Sequence, residues 1–93
     1  MIRLLNTTGG ALLCLAGEVD AAAVASFLRH YGHEPARIDA IDAGSVTALS
    51  APGLQLLLDH LEAARRAGRP VALRRSPLVE RSLSAAGPGA AQG

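Results

Sequence analysis

The sequence predicts an α/β fold: a four-stranded mixed sheet, its first strand antiparallel and the rest parallel, with about three helices in the order ββαβαβα. Three observations point to it. Short apolar runs alternate with segments whose apolar residues recur every three or four positions. Gly- and Pro-bearing breaks separate these stretches. The apolar content of 49% is almost wholly aliphatic, with one Phe, one Tyr and no Trp, which suits thin helix-on-sheet layers. At 93 residues the chain has room for one domain, expected over 1–87, with a flexible tail at 88–93.

Met1 to Asn6 is a short apolar strand, and Thr7-Thr8-Gly9-Gly10 supplies the positive-φ residues of a tight hairpin. Ala11 to Ala16 (ALLCLA) follows as a nearly unbroken apolar run, the pattern of a strand covered on both faces. Asp20 is placed to cap a helix whose stripe is Val24, Phe27, Leu28 and Tyr31, ending at Gly32. His33 to Ala36 is a loop, and Arg37 to Ala43 (RIDAIDA) is the central strand. The second helix has Ser50 as cap, Pro52 in its first turn, a buried stripe of Leu54, Leu57, Leu58 and Leu61, and a stop at Gly68-Arg69-Pro70. Val71 to Arg74 is the fourth strand. Ser76-Pro77 opens a third helix with Leu78, Val79 and Leu83 inward and a stop at Gly87-Pro88. Right-handed crossovers make strands two to four parallel. Partners of such sheets meet the loops at the carboxyl ends of the strands, here Gly17 to Asp20, Gly44 to Gly53 and Arg75-Ser76.

Several functions are excluded at this level. A formal charge of +1 lacks the basic surplus of a nucleic-acid binder. No apolar run approaches the ~20 residues of a membrane span. A single Cys14 fits a reducing compartment, so a cytoplasmic protein without direct membrane insertion is expected. No Lys is present, so a Walker-type phosphate loop is absent. His30 and His33 straddle a helix end, and His60, beside the stripe of the second helix, is expected to face solvent; no metal or other cofactor is expected. Cys14, mid-strand in an apolar run, is expected to be buried and inert. An enzyme is not expected.

Gly17-Glu18-Val19-Asp20 resembles the Gly-Glu-Leu-Asp signature of STAS domains, the family of bacterial anti-sigma-factor antagonists. Asp42-Ala43-Gly44-Ser45-Val46 is similar to the family's Asp-Leu-Ser-x-Val. Gly53-Leu54 follows at the family distance, and Ala63 to Leu73 resembles the family's helix-to-strand stretch. The resemblance implies a non-catalytic interaction domain whose partner surface comprises Asp20, Asp42, Ser45, Thr47, Ser50, Ala51, Pro52 and Gly53. In the family, Asp-Ser-x-Gly precedes the second helix and its serine is the phosphorylation site. Aligned without a gap, this chain has Ser50-Ala51-Pro52-Gly53, so Ala51 occupies that position and cannot be phosphorylated.

The implied partner is a kinase-like anti-sigma factor, bound without phosphoserine control. A small STAS subunit of a bacterial phospholipid ABC transporter, docking its ATPase, is the first alternative. A nucleotide-sensing module is the second, with Asp20 and Asp42 as its acidic pair. The same residues also have plain roles: Asp20 and Ser50 as helix caps and Asp42 ordering the long loop through its amides. Arg65, Arg66, Arg69, Arg74 and Arg75 complement a helix end and protect a strand edge or face an acidic partner. Apolar surface left after the third helix leaves a homodimer open.

Overall fold

The computed structural model describes residues 1–92, with side chains described for 1–85. Its strands are β1 (Ile2–Thr7), β2 (Gly10–Val19), β3 (Ala40–Leu49) and β4 (Ala72–Arg75), and its helices α1 (Ala21–Tyr31), α2 (Ala51–Arg66) and α3 (Pro77–Gln92). The strands lie in the order β1-β2-β3-β4. β1 is antiparallel to β2, and the β2–β3 and β3–β4 pairings are parallel. The ββαβαβα order and the mixed sheet are thus as expected.

Local chemistry accounts for the connections. The hairpin closes through Thr8-Gly9, and it is Gly10, at φ 124°, that takes the positive φ an L side chain resists. Asp20 caps α1, its Oδ1 accepting from the Ala23 amide at 2.8 Å. Gly32, at φ 92°, ends the helix by donating its amide to the Leu28 carbonyl at 2.8 Å. α2 begins at a Ser50 cap and has Pro52 in its first turn, where a missing N–H is harmless.

One buried cluster holds the molecule together. The sheet contributes Leu13, Leu15, Ile41 and Ala43; α1 adds Val24 and Phe27, α2 adds Leu56 and Leu57, and α3 adds Val79. Register places Ile2 beside Leu15, Leu4 beside Leu13, and Leu13, Ile41 and Leu73 across neighbouring strands. Since side chains alternate along a strand, these share one face, and all three helices pack on it. The opposite face is open. Arg3, Cys14, Asp42 and Arg74 form one row across it, and Leu5, Leu12, Ala40 and Ala72 another.

Six expectations are corrected. The run ALLCLA is covered on one face, not both: Leu13 and Leu15 are buried while Leu12 and Cys14 are half-exposed. Cys14 therefore sits on the open sheet, not in the core. β3 starts at Ala40 and runs to Leu49, so most of the expected Gly44–Gly53 loop is strand, because its residues find pairing partners from Ala16 to Val19 on β2. The buried side of α2 is Gly53, Leu56, Leu57, His60 and Ala64, leaving Leu54, Leu58 and Leu61 half-buried. His60, expected in solvent, is 2% exposed, because α2 turns that side toward α1 and the loop before β3. Lastly, α3 continues past Gly87-Pro88 to Gln92, where alanines on either side favour helix. The tail expected at 88–93 lies outside the residues whose side chains are described.

Among the described residues, no helix is long and apolar enough to cross a membrane.

Candidate functional site

The carboxyl ends of β2 and β3 meet where Val19 pairs with Leu49. From there one strand turns into α1 at Asp20 and the other into α2 at Ser50, so two helix starts lie side by side. Ser50 ties them together. Its amide and its hydroxyl both donate to the Val19 carbonyl, at 2.9 and 2.8 Å, and its Oγ accepts from the Gly53 amide at 3.1 Å. The hydroxyl is thus committed on both sides, to strand β2 and to the first turn of its own helix.

Gly53 is required by space and not by backbone angle. A Cβ there would stand 2.7 Å from Val19 Cγ1, 2.9 Å from Leu49 Cδ1 and 2.9 Å from the Val19 carbonyl oxygen. The start of α2 can press this closely onto the strand ends only without a side chain. Between these pinned residues, Ala51 and Pro52 are exposed. Asp20, exposed and engaged by its own helix, borders the same turn.

β3 reaches this end irregularly. Between Asp42 and Ser45 it has one more residue than β2, and between Val46 and Ala48 another, Thr47. Bulges of this kind bend a strand and re-aim its side chains. Ser45 and Thr47 are exposed while Val46 is buried. β4 pairs only with Ala40 to Ala43, so this outer part of β3 is hydrogen-bonded on one edge.

Asp42 does not belong to the group. It sits in the row with Cys14 and Arg74 on the open sheet face, six residues from Asp20 measured along β2, on the order of 20 Å. Its Oδ1 accepts from the Gly44 amide at 3.1 Å, so it orders the bulge and not a long loop. The acidic pair Asp20–Asp42 is not formed. Sequence reasoning thus brought together five residues that the fold also brings together, Asp20 and Ser50 to Gly53; Ser45 and Thr47, expected in a loop, lie on the adjoining strand, and Asp42 stands apart.

The arginine cluster is largely tied up locally. Arg65 Nε donates to Glu62 Oε1 and Arg66 Nε to Glu62 Oε2, both at 3.0 Å. Hydrogen bonding to Arg65 above all, with Arg66 adding to it, holds the Glu62 carboxyl down at about 2, and the same contact raises Arg65 above its ordinary value. Arg69 donates to the Ile38 carbonyl at 2.8 Å, and Arg75 pairs with Glu80 at 3.3 Å. His60 is the residue that sequence reasoning missed. Its Nε2 accepts from the Ala36 amide at 3.1 Å, so its Nδ1, 2.9 Å from the Leu56 carbonyl, carries the proton and donates. The one available signal was its place three residues after Leu57 and four after Leu56.

A family model described as "Mlab, STAS domain" matches residues 5–89. No curated protein and no solved structure matches.

Proposed function

The chain belongs to the STAS domain family, and from that membership we propose that it is a non-catalytic docking module whose exposed Ala51-Pro52 turn is gripped by a protein partner. STAS domains are interaction and regulatory modules; the finer reading is that of an anti-sigma-factor antagonist binding a kinase-like anti-sigma factor. The observation that carries it is the contrast within four residues. Ser50 and Gly53 are locked to β2 and β3, while Ala51 and Pro52 between them are exposed. A turn held rigid before binding loses little conformational entropy on docking.

With Ala51 at the position of the family phosphoserine, the turn carries no hydroxyl for a phosphate of roughly −1.5 to −2 charge. The module stays competent to bind, and its abundance or its partner's sets the outcome. The same methyl group favours a second reading, the small STAS subunit of a bacterial phospholipid transporter docked on its ATPase, since a permanent subunit needs no release. The test is affinity capture from the native cell with the wild-type chain and Ala51→Glu. A kinase-like ATPase captured by wild type and lost with Ala51→Glu supports the first reading, and a transporter ATPase behaving so supports the second. A partner retained equally by both chains sinks the proposed surface.

A further inference from the structure

Apart from the docking turn, one cleft among the described residues combines an apolar floor with a charged rim. It lies between α1, α2 and the loop joining α1 to β3 and encloses about 230 Å³. Its floor is apolar: Val24, Phe27 and Leu56 are buried and Leu28 half-buried. Its rim carries the exposed carboxylates of Glu34 and Asp59. His60 closes one wall with both ring nitrogens already engaged, and among the described residues no buried side-chain polar atom lacks a partner. The floor therefore offers apolar contact alone, and any polar recognition must come from the rim.

Beside the exposed imidazole of His33, the rim's acidic groups are these two carboxylates. Asp59 accepts from Gln55 Nε2 at 2.7 Å. Neither it nor Glu34 takes part in any of the ion pairs formed among the described residues. Two carboxylates outside any ion pair, over an apolar floor, favour a cation over a phosphate, although Arg66 lies beyond Asp59 on its far side.

We infer that this cleft binds a small organic cation: an aromatic or branched aliphatic body seated on Phe27 and Leu56, with a protonated amine held at the rim by Glu34 and Asp59. The volume lies below the roughly 300–1,000 Å³ of sites for drug-sized ligands, which limits the body to about a single ring with a short arm. Apolar burial and a charge-assisted hydrogen bond then divide the recognition between floor and rim. Pro52 lines the cleft as well, so an occupant touches the docking turn from behind, although the site itself does not depend on the docking reading.

The probe is 2-phenylethylamine, titrated into the ¹⁵N-labelled full chain and followed by amide shifts. Saturable shifts are expected around Val24 to Leu28 and Leu56 to His60, with a Kd on the order of millimolar. Phenylacetate, the anion of like size, is expected to bind at least about tenfold more weakly, one charge-assisted contact being worth about that factor. Glu34→Gln and Asp59→Asn, both exposed positions whose variants keep the fold, are each expected to weaken the amine several-fold and to leave the neutral 2-phenylethanol unchanged. Equal shifts from amine and carboxylate, or no saturable shift from the amine, overturn the inference. So does an amine affinity unmoved in both variants.

Discussion

The two halves of β3 obey different constraints. From Ala40 to Asp42 the strand is paired on both sides, with Leu12 to Cys14 of β2 and with Ala72 to Arg74 of β4, and its register is regular. Beyond it Ala43 is paired with Arg75 of β4 alone and Ser45 to Leu49 with β2 alone, and two extra residues enter, one between Asp42 and Ser45 and one between Val46 and Ala48. A strand fixed on both edges cannot accommodate an insertion without breaking a second ladder; a strand fixed on one edge can. The inner part therefore serves the core in regular register through Ile41, and the outer part, which still buries Val46, bends toward the start of α2. The regular core stretch and the stretch that leads to the proposed docking turn thus lie a few residues apart on one strand.

Four substitutions break or sharpen this contrast. Ile41→Ala, in the fully buried inner half, is expected to cost the most, about 2–5 kcal/mol in denaturant unfolding; a loss under 1 kcal/mol would mean that the inner half is not the stabilising one. Gly53→Ala comes next. Its methyl must displace Val19 and Leu49 side chains and cannot displace the Val19 carbonyl, so a loss of about 1–3 kcal/mol is expected, together with weakened partner capture as α2 lifts from the strand ends. Ser50→Ala removes both hydroxyl contacts and is expected to lower stability by about 0.5–2 kcal/mol. Serine-to-glycine at the same position would cost only a few tenths if capping alone mattered, so a full-sized loss there points to the Val19 tie. Thr47→Ala, an exposed bulge residue, is expected to stay within ±0.5 kcal/mol; a larger change would show the outer half to be more constrained than its single ladder implies.

The elements differ in how far they could be read in advance, for physical reasons. α1 was legible because its signals are local: an Asp20 cap, a stripe at three- and four-residue spacing that holds for Val24, Phe27 and Leu28 while Tyr31 at its end is exposed, and Gly32 where the backbone must turn left-handed. α2 was legible in its ends but not in its orientation. Leucines at 54, 56, 57, 58 and 61 cover so much of its circumference that several faces are equally apolar, and contact with α1 and the preceding loop selects the one bearing Leu56 and His60. The outer half of β3 was not legible. Gly44 and Ser45 are loop-like residues taken alone, and their stretch becomes strand only by pairing with β2. The site shows the same split. Ser50, Ala51, Pro52 and Gly53 follow one another in sequence and stay together, whereas Asp42, joined to them through the resemblance, is separated from them by the outer part of β3.

The sequence by itself determined the kind and order of the elements, the parallel crossovers, the caps at Asp20 and Ser50, and the absence of a hydroxyl at position 51, since each depends on residues within a few positions of one another. Only the tertiary structure decided that the helices all cover one face of the sheet, that His60 is enclosed, that β3 extends to Leu49 and that Asp42 stands apart from the docking turn. Those outcomes depend on which surfaces meet across the fold, and a periodic apolar pattern specifies that a face is buried without specifying what it is buried against.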